Sequence, residues 1–515
     1  MTALTVNDLP ETYHDCRRLV AGRLRGDGAP VPPRALKPRR VDERVLQCAW
    51  FDRMFADEGL ATATGRPLVI VDPGRWNHEQ GPDFLGASLV IDGQPRKGDV
   101  EVHADARDWK RHEHHRDFEY NRVILHAVLE APDGAVRDPK HNGEQAERFV
   151  MRPFLRPDLE SIQRAVNPDD YPFDEGGGRG KCAAIIAEMS DAFLERYFDL
   201  AARERLEAKV RRFADQAADE SPEQVFYQGL LTAMGHKGGK ALFFLLSKRA
   251  PLAEVADFAQ QAPPAERVVR IESILLHVAS LVPPAGSREG FDDETRAYLD
   301  RLEAQWAPAA PYFNDRIIPP TKRWFTGIRP VNFPPRRIAG VAALVAGAAS
   351  PGRLFSDLVE LFRTTAPRAP TRKTAREFVQ RFCGAVMIDP GGYWSRRYSF
   401  AAKKAARAMT LIGEDQAQSI LLNAFVPQAI VRARATGDAD LEGRAFALYH
   451  RFPRLAENAV TKFMRWRLFA DEGRAKQLLT TEARQQALFY LFNDCCNNAA
   501  KTCDQCAYLR DEGMA

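Results

Sequence analysis

No apolar run in the chain reaches the roughly 18 residues a membrane-spanning helix needs, so a membrane protein of the helical kind is excluded. The first residues, Met1-Thr-Ala-Leu-Thr-Val-Asn-Asp8, carry no basic stretch followed by an apolar one, and no secretory signal is expected. No segment repeats at a fixed period, which argues against solenoids and propellers. A phosphate-binding loop is missing as well. Gly235-His-Lys-Gly-Gly-Lys240 lacks the first glycine at the required spacing, and Ala241 stands where a Ser or Thr would hold magnesium. Cysteine is sparse, 8 in 515 residues, and scattered except for Cys495, Cys496, Cys503 and Cys506. In a chain without a secretory signal, such a group points to metal binding before disulfides. The expectation is a cytoplasmic protein that makes no use of a membrane.

What is present is a globular composition, 45% hydrophobic and 28% charged, long enough for two to four domains. The formal net charge of +4 hides an asymmetry. Between Thr321 and Thr410 there are 17 Lys/Arg against 4 Asp/Glu. A local surplus of that size suits a polyanion; its plainer explanation is a set of helix faces whose acidic partners come from elsewhere in the chain.

Residues 1–40 read as an irregular basic arm, proline-rich over Pro30–Arg40. Apolar spacing then predicts a helix over about Asp42–Glu58. Strands follow at Leu68–Val71, Ala87–Ile91 and Gly98–His103, with Asp92-Gly93 as a hairpin turn. A polar helix near Asp108–Tyr120 precedes strands at Arg122–Glu130 and Glu147–Arg152. The glycine-rich break Gly176–Gly180 closes a module of residues 41–175. Residues 181–515 are mostly helical, interrupted by an extended, proline-punctuated segment at Pro319–Pro335, with helices resuming at Arg337. The fold class is therefore α+β, with a mixed sheet flanked by helices ahead of a large helical region.

Two short stretches carry chemistry. Gly81-Pro-Asp-Phe84 puts Asp83 at a strand start. Gly98-Asp-Val-Glu-Val-His103 alternates so that Asp99, Glu101 and His103 share one strand face. Carboxylates at the ends of neighbouring strands suit a divalent ion, and a basic side chain two residues beyond the second can hold or deprotonate a metal-bound water. Asp99 is an alternative ligand to Glu101. His112 and His115, three apart on the expected polar helix, read first as part of a solvated face; convergence on a metal and contact with phosphates near the carboxylates are the functional alternatives. His126 faces away from Val123, Leu125 and Ala127 and reads as a packing or supporting residue.

This order of elements, with these motifs, resembles the PD-(D/E)xK nuclease superfamily over about residues 41–152. The resemblance implies a restriction-endonuclease-like core that hydrolyses phosphodiester bonds of DNA or RNA with Mg2+ or Mn2+. It implies Asp83 and Glu101 as metal ligands, His103 at the position of a catalytic Lys, and Glu43 joining from the first helix. His for Lys departs from the pattern. It leaves open a non-catalytic nucleic-acid-binding or scaffold protein with a degenerate core, and a hydrolase of small phosphoesters.

Cys503-Asp-Gln-Cys506, with Cys496 upstream, has the spacing of thiolates around Zn2+ or an iron–sulfur cluster, and Cys182 is the fourth ligand chosen. Cys16, Cys48 and Cys383 are the other candidates. Arg329-Pro-Val-Asn-Phe-Pro-Pro-Arg336-Arg337 and Gly392-Tyr-Trp-Ser-Arg396-Arg397 set guanidinium groups beside prolines and aromatics. Their five arginines are candidate phosphate contacts. Together the two carboxylate motifs, the Arg-Pro-Val-Asn-Phe-Pro stretch and the cysteine group resemble an uncharacterised bacterial family of unknown function, over most of residues 40–510.

Overall fold

The computed structural model describes residues 10–25, 41–77, 81–166, 168, 171, 180–235, 239–325, 328–348, 352–389 and 391–496. The protein is α+β, and its chain divides into two compact units. One draws on Met1–Gln163, Asn167–Glu207 and Pro453–Ala515; the other on Arg164–Val166 and Ala208–Phe452. The division does not follow chain order, since helices after Pro453 belong with the sheet.

The sheet unit opens on helix α1 (Tyr13–Arg25), inside what the sequence suggested was an irregular arm. Tyr13, Cys16, Val20 and Ala21 form a buried helical face, which explains the difference. The proline-rich part of that arm lies outside the described residues. Helix α2 (Glu43–Phe51) is capped by Asp42, whose side chain accepts from the Arg44 N–H. It stops seven residues earlier than its apolar spacing suggested, because Arg53 takes a left-handed φ of 51°. Met54 and Phe55 are still buried, beyond the helix end.

Among the described residues seven strands follow: β1 (Leu68–Asp72), β2 (Arg75–Trp76), β3 (Phe84–Ile91), β4 (Gln94–Asp105), β5 (Val123–Glu130), β6 (Arg137–Pro139) and β7 (Gln145–Val150). They form one mixed sheet in the order β1-β3-β4-β5-β7-β6, with β2 on β3. The β1–β3 and β3–β4 pairs are antiparallel; β4–β5 and β5–β7 are parallel. At the β3–β4 hairpin, Asp92 and Gly93 take φ of 53° and 71°, the mirror-image turn whose twist matches the strands it joins. Helix α2 covers the sheet through Trp50. Its ring is fully buried near Phe55, Phe84 and Phe149, and its Nε1–H donates to the Pro73 carbonyl.

The second unit is helical. Phe226, Phe355, Phe362, Phe382 and Phe425 bring four helical segments into one aromatic core, with ring centroids as close as 5.0 Å. The proline-punctuated segment is turned rather than extended, with short 3-10 turns at Lys322–Phe325 and Pro330–Asn332. The following helix begins at Pro334, earlier than expected, because proline at the first helical position sacrifices no hydrogen bond. No helix among the described residues is long and apolar enough to cross a membrane.

Candidate functional site

The β3–β4 register fixes the two carboxylates. Phe84 pairs with Val100, which puts the preceding Asp83 opposite Glu101. The two then lock reciprocally. The Asp83 N–H donates to Glu101 Oε2 at 2.9 Å, and the Val102 N–H donates to Asp83 Oδ2 at 3.0 Å. Both residues are 4% exposed. Glu43, the first residue of α2, reaches the same place and accepts from the Ala104 N–H at 3.3 Å. Burial pushes the Glu43 carboxyl up to about 7; the Ala104 N–H opposes this, and Asp83, Asp108 and Glu101 add to it. Three carboxyl groups thus crowd a poorly solvated space, an arrangement that suits a divalent cation.

Histidines close the other side. His103 Nε2 and His114 Nε2 each lie 3.4 Å from Glu101 Oε1, and His112 Nδ1 lies 3.2 Å from His103 Nε2. Ligand atoms of His103, His112 and His114 all fall within 4.8 Å of one another. His114 is held by Tyr120, whose ring stacks on it at 3.9 Å. His112 is the exposed member.

The histidines that come together are not the pair the sequence offered. The polar helix is only Asp108–Arg111, our α3, because Glu113 adopts a left-handed φ of 62°. That break turns His114 inward with His112, in place of His115. The sequence offered no sign of it, since Glu has no preference for this conformation.

Behind His103 runs a buried chain. His103 Nδ1 is 2.9 Å from His126 Nε2, and His126 Nδ1 is 2.7 Å from Asp138 Oδ2. Arg148 grips the same carboxylate through Nε at 3.0 Å and through a second nitrogen at 2.5 Å. Burial raises the Asp138 carboxyl, but the bonds from His126 and Arg148 outweigh it and leave the group below its ordinary value. Asp138 and Arg148, invisible as site residues in the sequence, are recruited from β6 and β7.

Other candidates lie elsewhere. Asp99 is buried on β4, but its Oδ1 accepts from the Gly86 N–H at 2.9 Å, where β3 bulges. It therefore serves the bulge, with Arg122 3.6 Å away. Arg336, Arg337 and Arg397 are buried in the helical unit. Arg336 donates to the carbonyls of Trp394, Arg397 and Thr410, Arg337 to Asn332, and Arg397 to Asp292 and Glu294. Guanidinium groups turned inward in this way do not reach a phosphate, which corrects their assignment as contacts; Arg329 and Arg396 are exposed. Of the cysteine ligands, Cys182 and Cys496 are half-buried, and Cys503 and Cys506 lie outside the described residues. Burial pushes the Cys16 thiol up to about 12 and that of Cys383 up to about 11, as in packed, protonated side chains.

The fold and site define an α+β protein whose mixed sheet carries a buried carboxylate–imidazole cluster. The chain belongs to the family described as Protein of unknown function (DUF2851), whose model matches residues 43–458. No curated protein and no solved structure matches the chain.

Proposed function

We propose that the sheet unit is a divalent-metal-dependent hydrolase of phosphodiester bonds in DNA or RNA. The observation that carries this reading is the reciprocal lock between Asp83 and Glu101, with Glu43 crowded against them. The surrounding order supports it: a helix, three antiparallel strands, a helical crossover and a parallel strand, as the nuclease resemblance implies.

A divalent ion held by Asp83, Glu101 and Glu43 would supply the positive charge that activates water and offsets charge building on the phosphate. The chain's own groups do the rest. The Asp83 and Val102 N–H groups fix the two carboxylates in place. His103, held from behind by His126, turns Nε2 toward Glu101, where it can orient a water or take its proton. Exposed His112 marks the open side, from which a substrate enters.

The test is cleavage of labelled single- and double-stranded DNA and RNA by the purified full chain, with added Mg2+ or Mn2+. Cleavage that needs the ion and drops at least about 100-fold in Asp83→Asn is the expected result. Salt-dependent binding without cleavage by any ion would favour the non-catalytic, nucleic-acid-binding alternative.

A further inference from the structure

The positions around His103 define more than a carboxylate site. We infer that His103, His112, His114 and Glu101 form a nitrogen-rich seat for a zinc-class transition ion, in preference to magnesium. The inference deepens the hydrolase reading by naming its ion, replaces Asp83 and Glu43 as ligands by the imidazoles and moves His103 from the water to the ion, and rests on that reading only for the ion's use.

The buried chain behind His103 is the first argument. Asp138 carries two bonds from Arg148 and is held in its ionised form, so it can only accept. His126 donates through Nδ1 to that carboxylate, and its Nε2 meets His103 Nδ1 at 2.9 Å. On its other side His103 Nε2 lies 3.4 Å from Glu101 Oε1 and 3.2 Å from His112 Nδ1. Three imidazoles meeting beside a carboxylate form a donor set that suits a cation. A buried carboxylate behind a histidine is also how proteins fix the tautomer of a metal-ligating ring.

Spacing is the second argument. Zinc bonds of about 2.0–2.1 Å place tetrahedral ligand atoms about 3.3–3.4 Å apart, whereas octahedral magnesium at about 2.0–2.1 Å brings neighbouring ligands to about 2.9 Å. Three of the six separations among these four ligand atoms are 3.2, 3.4 and 3.4 Å, on the tetrahedral side, and the histidine ligand atoms all fall within 4.8 Å of one another. Donor chemistry agrees, since imidazole suits zinc and magnesium prefers oxygen. The substitution of His for Lys at position 103 also gains a meaning: a protonated Lys cannot ligate, whereas His can. In this arrangement His103 is a ligand and does not handle the water, while Asp83 and Glu43 flank the ion.

The experiment compares the metal-stripped full chain with His112→Ala and His114→Ala, using calorimetric titration with Zn2+ and Mg2+ and the visible spectrum after Co2+ loading. His112 is exposed, so its truncation tests ligation without disturbing packing; matching circular-dichroism melts verify this. Because the cysteines can also take zinc, the readout is the difference between native and variant chains. The native chain should show one zinc equivalent bound at least about 100-fold more tightly than Mg2+ and lost in both variants, together with loss of a tetrahedral Co2+ band that has no thiolate charge-transfer component. Zinc binding unchanged in His112→Ala would overturn the inference. Magnesium-dependent cleavage retained by both variants would overturn it while leaving the hydrolase intact. Tight histidine-dependent zinc binding without cleavage of any substrate would uphold the site and remove the hydrolase reading.

Discussion

Buried charge is handled differently in the two units. In the helical unit Arg397 meets Asp292 and Glu294 at 2.6 and 2.9 Å, Arg336 is ringed by main-chain carbonyls, and Glu272 is bonded by the Tyr298 hydroxyl. Each charged or acidic group there faces a complementary partner. In the sheet unit Asp138 and Arg148 pair in the same way, but Glu43 is crowded by Asp83 and Glu101, and the His103 and His114 rings converge on Glu101. Complementary pairs hold a fold together. Like groups assembled in a dry space weaken it, and such assemblies are characteristic of sites that bind or react.

The contrast can be broken most directly at Asp83. Asp83→Asn should lower ion-dependent cleavage by about 1000-fold, since a carboxylate charge at the ion is lost. In the metal-free chain the same change relieves repulsion while Asn still accepts from the Val102 N–H, so calorimetry should give an equal or higher Tm. A lower Tm would class Asp83 with the structural acids. Arg336→Met tests the other side. It strands buried carbonyls and should destabilise the protein by about 3 kcal/mol in urea unfolding; a loss under about 1 kcal/mol would mean the guanidinium is not structural.

Glu272 sharpens the comparison through pH. Burial pushes its carboxyl up to about 7, against the Tyr298 bond and the Arg301 charge, which pull it down. The folded state therefore keeps a proton that the unfolded chain loses above about 4.5. Its contribution is fully present below that pH and is lost as pH rises through about 7. Glu272→Gln should flatten this decline and stabilise the protein at pH 8 by up to about 3 kcal/mol, read from urea melts at pH 5 and pH 8. A constant difference between native and variant chains at the two values would contradict the assignment. The smallest effect is expected at His126, where Asn loses the orienting ring and should weaken divalent-ion affinity about 10- to 100-fold in calorimetric titration.

Local grammar carried much of this structure. Alternation placed Glu101 and His103 on one strand face, and Asp92-Gly93 marked the hairpin that sets the Asp83–Glu101 register. What local pattern cannot hold is a choice made by distant partners. The left-handed Glu113 swapped His115 for His114, though nothing in its own chemistry asks for that backbone. Asp138 and Arg148 joined the site only because β6 and β7 complete the sheet beside β5. The basic surplus after Thr321 looked like a surface for a polyanion, yet the acids that meet Arg397 lie about a hundred residues upstream. Charge counted in a window cannot show which side chains turn inward.

Glu101 is shared by the carboxylate lock and the histidine cluster, so Glu101→Gln, compared with the native chain at saturating Zn2+, Mn2+ or Mg2+ on labelled DNA and RNA, tests the central claim most directly. Ion-dependent cleavage by the native chain, lost in the variant along with one bound ion, is the predicted result. Equal cleavage by both chains, or no cleavage by the native chain with any of the three ions, would contradict it.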